Sequence, residues 1–316
     1  MKSIYITNTN PFFNLALEEY YFDSFEEEFL MLYRNEPSVV CGRNQNLFSE
    51  INYSFCLEKD IKILRRVSGG GCVFHDLGNI NVSLILHQHT IDTLRVSQRI
   101  AEVLNNLGWQ VQITERGDLM LDGKKISGNA KYLRKNRLLY HCTLLYNSDL
   151  YLLTKSIAKQ NEKYFSRSIP SVRSEVANLI STQNHYGGCE KFMALFYEKL
   201  KFDFSFVEEY HVMPEDRYKI NDLAQSKYSS VEWIYDSSSD YTFKNTFPYQ
   251  NLIFEVSFWV KSGKIQNASV ASFPQNFALT EMIKNALNNC RHEYHSLFDS
   301  VKKKLDLPIE LTKNLF

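Results

Sequence analysis

Hydrophobic residues recur at helical spacing from the start of the chain. In FNLALEEYYF, residues 13–22, the apolar side chains follow a helical period and the glutamates fall together on one side, so the pattern predicts an amphipathic helix. RVSQRIAEVLNNLGW, residues 95–109, predicts a second helix that Gly108 ends. Helical patterns return near residues 150–160 and 191–200.

Between these helices the pattern becomes typical of β-strands. FLMLYR and SVVCG flank a turn at residues 35–37, KILRRV leads into a run of glycines, and INVSLIL is β-rich. Residues 118–147 are typical of consecutive short strands with tight turns, among which Asp122-Gly123 is a hairpin signal. Helices combined with an antiparallel meander predict an α+β fold, with a mixed or antiparallel sheet flanked by helices, and not a doubly wound sheet.

The last quarter of the chain has its own pattern. The composition turns polar between residues 212 and 245, and DSSSDYTFKN at the end of this stretch is the predicted linker. NLIFEVSFWVKSGK then alternates, turns at Ser262-Gly263 and precedes two helical segments; its apolar face is Leu252, Phe254, Val256, Phe258 and Val260. We therefore predict a large domain over residues 1–240 and a small α+β domain over residues 246–316, in which a strand pair carries two helices on one face.

Composition and charge narrow the class of protein. The 316 residues are 44% hydrophobic, which is enough for a large globular domain with a core. Lys+Arg and Asp+Glu both number 36, so no overall field would attract nucleic acid or an anionic membrane, and any recognition of charge is local. No window approaches the roughly 20 apolar residues of a membrane span, and the first residues do not resemble a signal or transit peptide.

The six cysteines are scattered without a CxxC pair. This spacing favours neither a zinc ribbon nor a disulfide framework, and it fits a reducing compartment. Together with the absence of a membrane span, it predicts a cytoplasmic, soluble protein.

The stretch RRVSGGGCVFHDLGN, residues 65–79, is the first candidate for chemistry. Three consecutive glycines accept positive φ angles and lack Cβ atoms, so their N–H groups can point at a ligand that lies directly on the backbone, as anion-binding loops require. The stretch is neither a phosphate loop ending in GK[ST] nor a GxGxxG loop. A tight connection or bulge in a sheet explains the same glycines.

The second candidate is DGKKISGNAK, residues 122–131. On a strand Lys124 and Lys125 point to opposite faces, so only one of them can face a cleft. A lysine beside a glycine-lined anion site would neutralise phosphate charge. The same residues are also compatible with ordinary solvated lysines.

The sequence resembles the lipoate-protein ligase A family over nearly the whole chain. The resemblance lies in the two candidate stretches above and in four further ones: FNLALEEY, RNEPSVVCGRNQN (34–46), HCTLL (141–145) and SIPSVRSEVANL (168–179). The resemblance implies the biotin/lipoate ligase fold with a small accessory domain. It also implies an enzyme that uses ATP and Mg²⁺ to convert lipoate into lipoyl-adenylate, releases pyrophosphate and then transfers the lipoyl group to a lysine of an acceptor protein.

The resemblance also assigns site residues. The nucleotide contacts would be Arg66, Gly71, Cys72, Val73, Phe74 and Lys125. The lipoate contacts would be Gly69, Gly70, His75, His141 and Lys125. Lys125 would be the essential catalytic residue that relieves repulsion between the lipoate carboxylate and the α-phosphate, and Asp118 would be a Mg²⁺ ligand.

The implied partners are lipoate, ATP and an acceptor domain, either the lipoyl domain of a 2-oxoacid dehydrogenase acyltransferase subunit or an H-type carrier of glycine cleavage. No nucleic acid and no membrane are implied. Lipoate, octanoate and other short acids remain alternative substrates, because one methylene changes discrimination by only about 1 to 3 kcal/mol. The accessory domain would rearrange between the two half-reactions.

Departures from the family pattern suggest alternatives. His141-Cys142-Thr143 stands where His-Gly-Thr/Ser is usual, Gly117 replaces an Asn, and Cys72 replaces Thr or Ala. Cys142 raises an alternative function, ATP-independent lipoyl or octanoyl transfer through a cysteine thioester. A carrier-binding module without turnover is a third hypothesis. Arg173 is either a phosphate or acceptor contact or a brace for its own loop.

Overall fold

The protein is described here by a computed structural model that covers residues 1–87, 92–158, 162–168, 174–182, 186–206, 208–305 and 312–316. The strands are β1 (Lys2–Tyr5), β2 (Phe29–Tyr33), β3 (Ser38–Cys41), β4 (Lys62–Arg65), β5 (Cys72–His75), β6 (Asn79–His87), β7 (Gln112–Ile113), β8 (Leu119–Leu121), β9 (Lys124–Ser127), β10 (Asn129–Arg134), β11 (Arg137–Leu145), β12 (Tyr164–Ser166), β13 (Glu208–Glu209), β14 (Tyr241–Tyr249), β15 (Leu252–Lys261) and β16 (Lys264–Phe273). The helices are α1 (Pro11–Ser24), α2 (Leu47–Glu50), α3 (Tyr53–Glu58), α4 (Thr93–Asn106), α5 (Leu150–Ser156), α6 (Cys189–Phe204), α7 (Pro214–Leu223), α8 (Phe277–Leu287) and α9 (Tyr294–Leu305).

A six-stranded mixed sheet forms the centre of the molecule, in the order β10-β11-β6-β2-β1-β13. The pairs of β1 with β2 and with β13 are parallel, and the other neighbours are antiparallel. Apolar residues of α4 and α6 pack on one face of this sheet, and those of α1 and α7 pack on the other. The sheet is therefore buried on both faces, and the predicted α+β class is confirmed.

Helix α1 begins where the sequence supplies a helix start. Asn10 caps it by accepting hydrogen bonds from the backbone N–H groups of Phe12 and Phe13, and Pro11 occupies the first turn. The prediction that the glutamates form the polar side of an amphipathic helix is wrong for Glu18, which is 1% exposed. A charged residue at a buried helical position indicates a polar network inside the protein, and this network forms part of the site described below.

Two three-stranded sheets carry the candidate loops. The order β4-β3-β5 places the glycines between the outer strands β4 and β5, and β7-β8-β9 contains the predicted Asp122-Gly123 hairpin. One face of the β4-β3-β5 sheet packs with α1, while the other packs with the C-terminal part of the chain.

The C-terminal part is built on β12-β14-β15-β16 with α8 and α9. The predicted apolar face of β15 and its pairing with the strand after the Ser262-Gly263 turn, β16, are confirmed, but the sheet is larger than the predicted strand pair, because β14 and β12 extend it. Strand β14 begins at Tyr241, inside the stretch predicted to be a linker. The division at residues 240 and 246 stays a prediction.

The spacing of the cysteines favoured no disulfide framework, but the structure contains one disulfide. Cys41 and Cys72 are joined, because they lie opposite each other in the antiparallel pairing of β3 with β5. Spacing along the sequence could not reveal a pair that strand register creates across 31 residues. In the described part of the chain, no helix combines the length and the apolar character that crossing a membrane requires.

Candidate functional site

The glycine loop, Gly69 to Gly71, is held against the end of β3. The N–H of Gly42 donates to the carbonyl of Gly71 over 3.1 Å, and a Cβ at Gly42 would overlap the Gly70 carbonyl. Gly70 has φ of +91°, in the left-handed region that glycine accepts. A Cβ at Gly69 would meet no atom within 4 Å, so that residue borders open space.

Arg66 braces this loop from inside the protein. Its Nη2 donates to the carbonyl oxygens of Gly69 and Gly71 over 2.7 and 2.9 Å, and its Nη1 donates to that of Val40 over 2.8 Å. Burial lowers the pKa of Arg66 to about 10, so the guanidinium stays charged at neutral pH. In the protein without ligand, Arg66, the predicted phosphate contact, therefore binds the backbone of the glycine loop.

A buried chain of polar groups leads from Arg66 to helix α1. Arg66 Nε donates to Ser68 Oγ over 2.9 Å, and Ser68 Oγ lies 2.7 Å from His141 Nε2. His141 Nδ1 lies 3.1 Å from Glu18 Oε2, while Tyr33 donates to the other carboxylate oxygen over 2.8 Å. Burial alone would raise the pKa of Glu18, but the attraction of His141 and the hydrogen bonds from its neighbours outweigh burial and lower that pKa.

The neighbouring Arg65 acts elsewhere. It is completely buried, and its Nη1 donates to backbone carbonyls of residues 42, 43 and 45. Its Nε donates to the carbonyl of Ile234 over 2.9 Å, and its Nη2 donates to Ser238. Arg65 therefore ties the segment that precedes β14 to the loop that follows β3.

Lys125 and Lys124 point in different directions, as the strand pattern predicted. Lys125 Nζ lies 3.0 Å from Asp118 Oδ2, whereas Lys124 Nζ lies 2.6 Å from Glu175 Oε1. The backbone of Lys125 is fixed by hydrogen bonds with residues 175 and 177. A Cβ at Gly128 would crowd Lys125 Cε at 2.9 Å, so the bare backbone there makes room for the lysine.

Two cavities meet at this lysine. The first cavity, of about 180 Å³, is bounded by the glycine loop, β5 and β11 and contains polar groups of Arg66, His75 and His141 in its wall. The second cavity, of about 450 Å³, is lined by apolar side chains of β5, β11 and α5. Five residues line both cavities: Cys72, Val73, Lys125, Gly128 and Thr143.

The structure brings most of the predicted site residues together. The first cavity is lined by Arg66, Gly70, Gly71, Cys72, Val73, His75, Lys125 and His141, and Phe74 joins the second. Gly69 and Asp118 line neither cavity, but the carboxylate of Asp118 forms an ion pair with Lys125, which lines both. Arg173 lies outside the described residues.

Cys142 also lines the first cavity, but it is 5% exposed. Burial raises the pKa of its thiol to about 12, so the thiol stays protonated at neutral pH. A protonated, buried thiol is a poor nucleophile.

Glu18 and Ser68 are site residues that the motifs did not identify, and Arg65 is a supporting residue outside the two cavities that they also did not identify. The helical pattern placed Glu18 on the polar side of the helix with the other glutamate, so it gave no signal of a buried role. Ser68 and Arg65 flank recognised positions, but their partners are distant in sequence, so no local pattern indicates them.

The sequence is similar to those of known proteins. A family model described as the lipoyl protein ligase A/B catalytic domain matches residues 10–201. The chain is 33% identical over 313 residues to lipoate–protein ligase 1 of Staphylococcus aureus, with 96% of this chain and 94% of that protein covered.

Solved structures have the same fold. P. falciparum LipL1 in complex with lipoate is similar with a TM-score of 0.63 and 21% identity, covering 96% of this chain and 94% of that one. A lipoate-protein ligase A bound with ATP is similar with a TM-score of 0.63 and 24% identity, covering 74% of this chain and 98% of that one. The likeness in structure agrees with the α+β fold that the sequence pattern predicted.

Proposed function

We propose, because this chain belongs to the lipoyl protein ligase A/B catalytic domain family, that it is an ATP-dependent lipoate–protein ligase. In the first half-reaction a carboxylate oxygen of lipoate attacks the α-phosphorus of ATP, and pyrophosphate leaves. In the second, the amine of an acceptor lysine attacks the acyl carbon of lipoyl-adenylate, and AMP leaves as the amide forms.

The position of Lys125 between the two cavities is the observation that carries this proposal. The reaction joins two anions, a carboxylate and a phosphate, which repel each other. A fixed ammonium group where two binding spaces meet would attract both and would stabilise the charge that develops on the phosphate oxygens. The first cavity would then hold the acyl group, and the second the nucleotide.

The walls suit these ligands. The second cavity has leucines 145, 150 and 153 and Ile157 in its wall, an apolar surface on which an adenine ring can pack. The first cavity reaches Leu15 and Val40, which would contact an alkyl chain. The glycine loop leaves open space in which a ligand can lie along the backbone.

In the proposed function, Asp118 would be the protein ligand of Mg²⁺. Within the described residues no three potential metal-binding side chains cluster, so the protein offers no all-protein cage. Mg²⁺ commonly takes one or two carboxylates and completes its shell with phosphate oxygens and water. The single carboxylate of Asp118, 3.0 Å from Lys125, fits that mode, in which the nucleotide supplies the other oxygens.

The proposed acceptor is a lipoyl domain of a 2-oxoacid dehydrogenase acyltransferase subunit or an H-type carrier, and the proposed location is the cytoplasm. Family membership supports a protein as the acceptor, because the relative in Staphylococcus aureus is named as a lipoate–protein ligase. Thioester transfer through Cys142 is disfavoured by the raised pKa of its buried thiol.

The decisive experiment measures pyrophosphate release from ATP and Mg²⁺ without an acceptor protein. We expect release that requires lipoate and does not occur with lipoamide, a matched ligand that lacks the carboxylate. Lipoate-independent release would show ATP hydrolysis of another kind. No release, with a lipoylated carrier still bound, would overturn the proposal in favour of ATP-independent transfer.

A further inference from the structure

The disulfide between Cys41 and Cys72 lies at the base of the glycine loop. The two cysteines form the last pair of the antiparallel ladder between β3 and β5, at the end where the loop enters β5. Just beyond them, the N–H of Gly42 donates to the carbonyl of Gly71 over 3.1 Å. A covalent bond and a neighbouring hydrogen bond therefore tie the loop to the end of β3.

The same pair of cysteines supports Arg66. The backbone N–H of Arg66 donates to the carbonyl of Cys41 over 3.0 Å, and its guanidinium holds the carbonyl oxygens of Gly69 and Gly71. The position of Cys41 thus bears on both the loop and the arginine that braces it. The state of the disulfide therefore affects one wall of the first cavity.

The two sulfurs differ in accessibility. Cys41 is completely buried and lines neither cavity, whereas Cys72 is 8% exposed and lies in the wall of both. Both cysteines also belong to the apolar cluster that packs against the C-terminal part, which excludes polar reductants from that side. A thiol from solution can therefore reach the bond through the cavities, where it meets Cys72.

A disulfide is unusual in the compartment proposed for this protein. Cytoplasmic reductants keep most cysteines as thiols, and the disulfides found there are usually transient, with a catalytic or redox-sensing role. Cys142, the other cysteine of the first cavity, is a poor partner for exchange. Burial raises the pKa of its thiol to about 12, and the thiolate is the form that attacks a disulfide.

We infer that the bond between Cys41 and Cys72 is a redox switch for ligand binding. The oxidised protein holds the glycine loop in place and binds the ligands of the two cavities more tightly, and a bound ligand in turn protects the disulfide from reduction. The inference rests on the proposed function, because it takes these ligands to be ATP and the acid substrate.

A dithiol from solution would reduce the bond in two steps. Its first thiolate attacks the sulfur of Cys72, the bond between the two protein sulfurs breaks, and Cys41 leaves as a thiolate that takes up a proton. The second thiol of the reductant then attacks the mixed disulfide, closes the oxidised reductant into a ring and releases Cys72 as a thiol. Two electrons pass from the reductant to the protein.

Tighter binding and protection from reduction are two effects of one coupling free energy. Without the covalent tie the loop is free to adopt more conformations, and a ligand must then order it on binding. We expect reduction to weaken binding about tenfold, within the range of about 5- to 150-fold that is typical of coupled sites. By linkage, a ligand that saturates both forms should lower the reduction potential of the disulfide by about 30 mV.

Buffers of reduced and oxidised dithiothreitol set the state of the disulfide. Mass spectrometry after alkylation of the denatured protein counts the thiols, and reduction should add two to the four that are free. Calorimetry then gives the affinity of each form for ATP with Mg²⁺ and, separately, for octanoate. Octanoate replaces lipoate because the disulfide of lipoate would itself react with dithiothreitol.

The rate of reduction tests the route through the cavities. Saturating ATP or octanoate should slow the reaction with dithiothreitol, because each ligand covers part of the wall that contains Cys72. Reduction at the same rate with and without both ligands would show that the reductant enters elsewhere and would overturn the proposed protection.

Two variants identify the cysteines responsible. The double variant Cys41→Ser with Cys72→Ser should bind each ligand with an affinity that does not change with reductant. Cys142→Ser is the matched control, since it removes the other thiol of the first cavity, and it should retain the wild-type response. A response that persists in the double variant would assign the effect to another cysteine and overturn the inference.

The outcomes separate this inference from the proposed function. Equal affinities of the oxidised and reduced wild type for both ligands would overturn the switch and leave the ligase proposal standing. Failure of every buffer to join the two thiols would overturn the switch as well. A protein that binds neither ATP nor octanoate in either form would overturn the ligase proposal together with the coupling that rests on it.

Discussion

Lys125 Nζ and Asp118 Oδ2 lie 3.0 Å apart at the wall that the two cavities share. Their side chains are 24% and 21% exposed, so the pair is open to ligands while remaining partly shielded from water. An ammonium held by a single carboxylate is positioned but keeps donors for other acceptors, because it has three N–H groups. The pair can therefore hold the lysine in place before a carboxylate and a phosphate arrive.

Lys125→Ala should reduce lipoyl-adenylate formation by at least about a hundredfold, because it removes the cation that both reacting anions would share. The measurement is single-turnover formation of the adenylate from ATP and lipoate. Lys124→Ala is the matched control: it removes a neighbouring lysine that pairs with Glu175, and it should retain nearly full activity. Adenylate formation near the wild-type rate in a folded Lys125→Ala protein would refute the assigned role.

Asp118→Asn should raise the Mg²⁺ concentration needed for half-maximal activity by at least about tenfold, because it removes the one carboxylate assigned to the metal. The measurement is the rate of pyrophosphate release as a function of Mg²⁺. If the rate falls while the Mg²⁺ dependence is unchanged, Asp118 only orients Lys125. Asp122→Asn, in the neighbouring hairpin turn, serves as a control that should leave both quantities unchanged.

Local patterns were sufficient for most elements of the fold. Helix α1 and the meander from β8 to β11 were predicted because periodicity, caps and the Asp122-Gly123 turn act over a few residues. The glycine loop and Lys125 were predicted as site residues because their motifs are local too. Strand β14 was missed, because its first residues belong to the polar stretch that was predicted to be a linker.

Features that depend on residues distant in sequence could not be predicted. Ser68 gains its role from a contact with His141, 73 positions away, and Glu18 gains its role from a contact with the same histidine, 123 positions away. Each is an ordinary polar residue until folding buries it in the protein interior. Burial then makes its hydrogen-bond partners decisive, because an unsatisfied polar group costs free energy there.

His292 should make the C-terminal part sensitive to acid. Burial lowers its pKa to about 4 from the ordinary 6.5, and its ring nitrogens face Tyr241 and the carbonyl of Leu315. Because the unfolded chain binds the proton more tightly, stability is full above about pH 6.5 and is lost as the pH falls toward the folded pKa. By this linkage His292 alone should reduce the free energy of unfolding by about 2 kcal/mol between pH 7 and pH 5.

The measurement for His292 is urea unfolding at pH 7 and at pH 5. His292→Phe keeps an aromatic ring beside Phe316 and should show about 2 kcal/mol less loss between the two pH values than wild type. His295→Phe changes an exposed histidine of the same region and should lose as much stability as wild type. Equal losses in wild type and His292→Phe would show that the buried ring is not the source of the acid sensitivity.

The disulfide between Cys41 and Cys72 should make stability depend on redox conditions. It closes a loop of 31 residues and joins β3 to β5 beside the glycine loop, so reduction should lower the free energy of unfolding by about 2 to 4 kcal/mol. The unreduced, denatured protein should titrate four thiols, since four cysteines are free, and all six should titrate after reduction.

A double variant, Cys41→Ser with Cys72→Ser, should unfold at the same denaturant concentration with and without reductant. Cys56→Ser, at a buried free cysteine, should keep the wild-type response to reductant. Since Cys72 lines both cavities, reduction of the disulfide should also change the affinity for ATP. The control is an unrelated probe of the C-terminal part, such as an antibody to α9, whose affinity reduction should change less. Six titratable thiols in denatured protein purified without reductant would show that Cys41 and Cys72 are not joined.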